Sequence, residues 1–155
     1  MRCLLFLIFL YFGALTNCKN ECEIKPESDI TAIWEAHDGF GLVRWKEYGD
    51  VYNDVFRKFL KRPLRLLEIG LQSGGSIAAW QKFFGSDFLY MVGLDINELC
   101  IQFHDPAHSV HVEIGSQLDT DFLADICKRR HGPFDIIRRW WAYHFNDGYK
   151  LLCVN

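Results

Sequence analysis

The stretch from Leu64 to Gly85, LRLLEIGLQSGGSIAAWQKFFG, constrains the fold of this chain more than any other. Leu64 to Gly70 is a short, mostly apolar run ending in an acid and a glycine, the pattern of a buried strand entering a turn. A glycine-rich turn follows, with Ser76 as a candidate N-cap for a helix that runs to Phe84 and stops at Gly85. The grammar then repeats. Phe88 to Ile96 reads as a second strand with Asp95 near its end, and Ser109 to Gly115 as a third. Asp119 or Thr120 opens a helix whose apolar face is Phe122, Leu123, Ile126 and Cys127, and whose last turn carries Lys128 to Arg130. Cations there suit the helix dipole and read as a solvated end. Pro133 to Ile137 begins a fourth strand. Strands alternating with helices in this way predict an α/β fold, a parallel sheet with helices on both faces.

Upstream, Tyr48, Val51, Tyr52, Val55, Phe56, Phe59 and Leu60 form one stripe at helical spacing, predicting a helix from Lys46 to Lys61 that Pro63 ends. That aromatic stripe reads as core. Residues 17–34 read as a polar, charged leader. Before it, one basic residue (Arg2) precedes an apolar run from Cys3 that is shorter than the roughly 20 residues a membrane span needs. With Ala14 and Thr16 as small residues before a cleavage point, residues 1–16 read as a signal peptide and predict secretion or a secretory-pathway lumen. An uncleaved anchor is the alternative.

The 155 residues suit one domain, and a net charge of -3 argues against nucleic acid or an anionic membrane as partner. No Cys/His spacing matches a zinc site, and His104, His108 and His111 read as a solvated loop around Pro106. Cys100 and Cys127 read as small buried apolar residues, and Cys18 with Cys22 as a weak candidate for a local staple.

In an open α/β sheet, ligands bind beyond the C-terminal ends of the strands. Three features converge there: the turn with Glu68, Gly70, Gly74, Gly75 and Ser76; Asp95, 25 residues after Gly70; and the stretch Ile114 to Asp119 after the third strand. Glycines let backbone approach a ligand without a Cβ, and a carboxylate at Asp95 can accept both hydroxyls of a ribose. The spacing G-x-x-x-G-G is not the G-x-G-x-x-G that brings a helix N-terminus to a pyrophosphate, which disfavours a nicotinamide dinucleotide. Glu68 beside the turn suits a cationic ligand such as a sulfonium and its amino group. The plainer reading is an ordinary α/β turn, with Asp95 capping the segment after it.

LLEIGLQSGGSIAAWQKFFG, GLDINELCIQF, IGSQLDTDFLADI and HGPFDII, in that order and spacing, resemble class I S-adenosylmethionine-dependent methyltransferases, in the cephalosporin-hydroxylase-like and macrolide-sugar O-methyltransferase group. The resemblance spans residues 35–137, taken here as a partial methyltransferase domain. It implies a seven-stranded Rossmann-like sheet and S-adenosylmethionine as cofactor. Glu68, Gly70, Gly74, Gly75 and Ser76 would surround the methionine part, Asp95 would hold the ribose, and Ile96 would lie beside the adenine. Gln117 is carried over from the third-strand loop, where Ser116 replaces an acid found in many relatives. The family's methyl acceptors are hydroxyls on small molecules.

The resemblance fails at residues 138–155. There the family has an Asp-Asp-Gly-Gly-His type motif, whose first acid helps bind magnesium and whose histidine takes the proton of the acceptor hydroxyl. This chain has Arg138, Arg139, Trp140, Trp141 and Ala142. Two tryptophans and an alanine must be encoded TGG TGG GCN, which in the shifted frame reads Gly-Gly and then a codon that can be His. Two arginine codons ending in GA can read Asp-Asp in that frame. A change of frame near Ile137 is therefore expected, the rival being an evolved Trp/Arg surface. With metal and base residues missing, the chain is expected to be inactive in transfer, and a fourth strand lacking a neighbour would expose an edge and lower stability. The alternative function is a non-enzymatic nucleotide-binding or interaction protein. A secretory route sits awkwardly with a cofactor made in the cytosol.

Overall fold

The computed structural model describes residues 29–42 and 48–139. In chain order its elements are α1 (Ile30–Glu35), α2 (Tyr48–Phe56), a 3-10 turn (Arg57–Phe59), β1 (Leu64–Ile69), α3 (Gly75–Phe84), β2 (Leu89–Asp95), 3-10 turns (Glu98–Phe103 and Pro106–His108), β3 (Val110–Ile114), α4 (Thr120–Asp125), a π turn (Ile126–Arg130) and β4 (Ile136–Arg139). The expected signal peptide, the leader as far as residue 28, and residues 140–155 lie outside the described residues.

The four strands form one parallel sheet in the order β3-β2-β1-β4. From β1 the chain steps outward to β2 and β3, then returns to the opposite side of β1 for β4. That reversal makes a crevice at the C-terminal ends of β1 and β4, the place where an open α/β sheet receives a ligand.

Alternation along β1 sorts its side chains onto two faces. Leu64 and Leu66 join Met91, Val112 and Ile136 beneath α1, α2 and α3, where Trp34, Phe56, Trp80 and Phe84 are buried. Leu67 and Ile69 join Val92, Leu94, Ile126, Cys127 and Phe134 on the other face, against α4 and its π turn. Both faces are covered, which is why β1 and β2 are apolar nearly throughout. Trp80 organises the first layer, its ring 5.8 Å from Phe56 and 5.7 Å from Phe84. Each such fully buried large side chain contributes about 1.5–3 kcal/mol over an exposed one.

Residues 30–34, within the stretch predicted as leader, fold instead as most of α1. Ile30, Ile33 and Trp34 are buried in the first layer. Asp29 caps this helix, accepting from Thr31 N at 2.8 Å and Ala32 N at 3.4 Å. The buried Asn53 of α2 locks it in place, accepting from Ile30 N and donating to Asp29 Oδ1, both at 2.8 Å. The predicted helix over residues 46–61 gives way after Phe56 to the 3-10 turn, with Tyr48 and Val51 exposed and Phe56 buried; residues 46 and 47 lie outside the described residues. Among the described residues, no helix is long and apolar enough to cross a membrane. Cys100 is buried and free as expected, whereas Cys127, read as another small buried apolar residue, is disulfide-bonded.

Candidate functional site

Glu68 is the fifth residue of β1, on the same face as Leu64 and Leu66, and it is 0% exposed. A carboxylate buried that deeply needs partners on both oxygens. Oε2 accepts from Ser76 Oγ at 2.7 Å, and Oε1 accepts from Arg138 Nη1. Ser76 was predicted as an N-cap; instead Gly74, at φ 75°, holds the cap position, and Ser76 lies within the first turn of α3. Its hydroxyl is therefore free to turn back to β1.

Arg138 was not among the predicted site residues, and the sheet register explains its place. Leu66 pairs with Ile136 and Glu68 with Arg138 in the parallel β1/β4 ladder. Ile136 belongs to the first layer, so Arg138, two residues on, projects to that face as well. Its Nε donates to the Tyr52 hydroxyl at 3.4 Å, and its guanidinium lies 5.9 Å from the Tyr52 ring centre and 5.7 Å from that of Trp80. Burial pulls the Arg138 pKa down, but the Glu68 carboxylate and the Tyr52 phenol outweigh it and hold the pKa above its ordinary value.

The turn after β1 needs glycine at two places for conformational reasons, Gly70 at φ 94° and Gly74 at φ 75°. The room left by the missing Cβ atoms at Gly74 and Gly75 is filled by this chain. A Cβ on Gly74 would stand 2.6 Å from the Phe103 ring, and one on Gly75 would overlap the carbonyl oxygens of Phe40 and Gly41. Phe40 and Phe103 meet edge to face at 5.1 Å over that turn. The segment 39–42 therefore forms a wall of the site, which the sequence did not indicate.

Asp95 ends β2, level with Gly70, whose amide donates to Leu94 O at 2.7 Å. Glu68 and Asp95 thus stand at the same end of adjacent parallel strands. Asp95 Oδ2 accepts from Leu71 N at 2.8 Å and Gln72 N at 2.9 Å, and Oδ1 accepts from Asn97 N at 2.9 Å. The carboxylate already ties the glycine turn to the end of β2, as the plainer sequence reading requires. Ile96 and Leu118 are exposed beyond the strand ends, at 73% and 61%. Gln117 lies in the turn after β3, and its side-chain oxygen is buried without a hydrogen-bond partner among the described residues.

Glu68, Gly70 and Ser76 share one hollow with Gly41, Leu42 and Arg138. It is a shallow hollow with about 20 Å³ of space, room for about one water molecule and far below the roughly 300–1,000 Å³ of ligand pockets. Asp95 borders it through Leu71 and Gln72; Gly74 and Gly75 lie behind the turn, and Ile96 and Gln117 lie further along the strand tips. At the strand tips an acid, Asp95, precedes an exposed apolar side chain, Ile96. The Glu68 end does not fit a cationic amino group, because a guanidinium already holds it. A magnesium ion does not fit either: Arg138 and Arg139 are cations, and no group of three or more His, Cys, Asp or Glu placed to hold a metal occurs among the described residues. The histidines near Pro106 likewise form no metal group; His104 accepts from Val112 N at 3.0 Å and His108 pairs with Asp105 at 2.6 Å.

No protein-family model matches the chain. Among curated proteins, it is 30% identical over 119 residues to 8-demethyl-8-(2-methoxy-alpha-L-rhamnosyl)-tetracenomycin-C 3'-O-methyltransferase of Streptomyces olivaceus, a match covering 68% of this chain and 27% of that protein. It is 34% identical over 105 residues to mycinamicin VI 2''-O-methyltransferase of Micromonospora griseorubida, covering 63% of this chain and 24% of that protein. Among solved structures, the MycE methyltransferase from the mycinamycin biosynthetic pathway, in complex with Mg and SAH, superposes with a TM-score of 0.59 at 29% identity, over 72% of this chain and 28% of that one. The chain spans about a quarter of the length of the curated relatives it matches.

Proposed function

We infer that this chain, which belongs to the class I S-adenosylmethionine-dependent methyltransferases, presents the nucleoside end of the cofactor site and carries no methyl-transfer chemistry of its own. S-adenosylmethionine, when bound, supplies a methyl group on a sulfonium. The residues proposed to receive its nucleoside are Asp95 for the ribose, Ile96 beside the adenine, and Gln117 from the neighbouring loop. The observation carrying this reading is the placement of the glycine turn and Asp95 at adjacent strand tips, beside the sheet's switch point. A structure that superposes on this segment was solved with SAH and Mg.

Residue chemistry supports the proposed inactivity in transfer. An alcohol becomes a useful nucleophile when a base or metal withdraws its proton. Where the family has acids at the end of this strand, Arg138 and Arg139 can neither accept a proton nor ligate a cation. Small-molecule hydroxyls as acceptors, as in the sugar O-methyltransferases matched above, are proposed for a catalytically complete relative.

Titration calorimetry with S-adenosylhomocysteine tests the reading. Saturable binding by the 155-residue chain, lost in Asp95→Ala, supports it; absence of binding by the folded chain removes it. The Arg138–Glu68 pair favours a second reading, a non-enzymatic nucleotide-binding or interaction protein. Methyl transfer to a sugar hydroxyl by the purified chain would exclude that reading and the proposed inactivity together. We also propose, from the residue pattern of positions 1–16, entry into the secretory route. Recovery of the expressed chain from the cytosol with that segment uncleaved would remove this.

A further inference from the structure

We propose that Arg138 is a built-in occupant of the Glu68 end of the hollow, so that the chain recognises neutral adenine nucleosides and gains nothing from the amino-acid end of a ligand. The inference rests on the nucleoside-binding reading above and adds the class of ligand that the site selects.

Three observations carry it. Both Glu68 oxygens already hold a partner, Arg138 on one and Ser76 on the other, so a ligand ammonium would have to share the carboxylate with a guanidinium. The pair is buried, with side-chain exposures of 1% for Glu68 and 12% for Arg138. A buried charge deprived of its partner is strongly destabilised, so a ligand ammonium would have to replace the guanidinium without a gap. Finally, Arg138 is fixed from three sides. It shares a ladder rung with Glu68, donates to the Tyr52 hydroxyl, and lies near the faces of Tyr52 and Trp80. A donor held by its own strand pays no association entropy, whereas a free ammonium does. The tethered cation therefore wins the carboxylate. It also repels a second cation, which sets the site against a sulfonium relative to an uncharged thioether.

The test compares three probes on the 155-residue chain by calorimetry: S-adenosylmethionine, S-adenosylhomocysteine and 5'-methylthioadenosine, the last lacking the amino-acid end. For the unmodified chain, 5'-methylthioadenosine is expected to bind within about threefold of S-adenosylhomocysteine, and S-adenosylmethionine no more tightly than either. In Arg138→Met and Arg138→Gln, whose folding is checked by circular dichroism, S-adenosylhomocysteine should gain tenfold or more over 5'-methylthioadenosine. Arg138→Lys, keeping the charge, should hold the original ratio. A tenfold preference for S-adenosylhomocysteine in the unmodified chain overturns the inference while leaving the nucleoside site standing. An unchanged ratio in folded Arg138→Met does the same. Failure of the folded unmodified chain to bind all three removes the nucleoside site itself, and the inference with it. The unmodified chain's ratio decides the matter even where a variant does not fold.

Discussion

Asp95 Oδ2 accepts hydrogen bonds from two consecutive amides, Leu71 N and Gln72 N, at 2.8 and 2.9 Å, across the gap between two strand tips. One carboxylate oxygen thereby fixes the turn that follows β1, and the other fixes Asn97 after β2. Hydrogen bonds to a charged acceptor are worth about 1.5–3 kcal/mol each. Two of these three bonds are exposed, so their partners return to water when the carboxylate is removed; Asp95→Ala should lower unfolding stability by about 2–3 kcal/mol, and Asp95→Asn, which keeps one oxygen acceptor, by about 1 kcal/mol. Urea unfolding measures both. Equal losses in the two variants would mean that the carboxylate's charge and second oxygen contribute nothing.

The buried amide of Asn53 joins α1 to α2 through Ile30 N and Asp29 Oδ1. Asn53→Ala strands a buried amide and releases the cap of a six-residue helix too short to hold alone. The expected cost is about 2–4 kcal/mol, read as a lower urea midpoint. An unchanged midpoint would detach α1 from the cooperative unit. Burial raises the Asp29 pKa, but hydrogen bonds from Asn53, Thr31 and Ala32 outweigh it and bring it below the ordinary 3.8. The folded chain then holds fewer protons than the unfolded one in acid. The stability Asp29 supplies is present above 3.8 and is lost as pH falls through its lowered folded value. Asn53→Ala should shrink this acid-dependent part.

Much of this fold was legible because each signal was local. β1 and β2 are buried on both faces, so their apolar runs stand out, and Asp119 caps α4 as its position predicts. What was missed depends on contacts between distant residues. α1 has three buried residues in a six-residue helix, too few turns for a period to emerge, and only its cap Asp29 and the spacing of Ile30, Ile33 and Trp34 could have betrayed it. Gly74 and Gly75 looked like space for a ligand, yet Phe103 and the carbonyls of Phe40 and Gly41 use that space. Arg138 looked like a disruption of an apolar strand. Its meaning came from the β1/β4 register, which places it opposite Glu68.

Cys100 is buried and donates weakly to Gln72 O at 3.4 Å. Burial first, and then the nearby Asp95 carboxylate, push its thiol up to about 11. Near pH 8 almost none is thiolate, the form that reacts with electrophiles. Iodoacetamide should leave Cys100 unlabelled in the folded chain and label it in urea, with peptide mass spectrometry as the readout. Rapid native labelling would mean that the turn over Gln72 opens readily.

His111 projects from β3 into a cluster with Tyr90 at 4.7 Å, His131 at 5.2 Å and His104 at 5.8 Å between ring centres. Burial lowers its pKa, the fields of His131 and His104 lower it further, Glu113 opposes them, and Arg65 adds to the lowering. The folded chain thus resists protonating His111, while the unfolded chain protonates it near the ordinary 6.5. Below that value the unfolded state binds more protons, so stability is lost as pH falls and the loss levels off past the folded value. His131 and Glu113, paired at 2.7 Å, and His104 also face His111, so the whole-chain profile is not the readout. The difference between the unmodified chain and His111→Gln isolates His111. Urea midpoints of the unmodified chain should fall more steeply from about pH 7.5 to about pH 5 than those of His111→Gln, because His is the side chain that titrates in that range. Parallel profiles would show that His111 protonates as readily folded as unfolded, and a steeper fall in the variant would reverse the sign of its field.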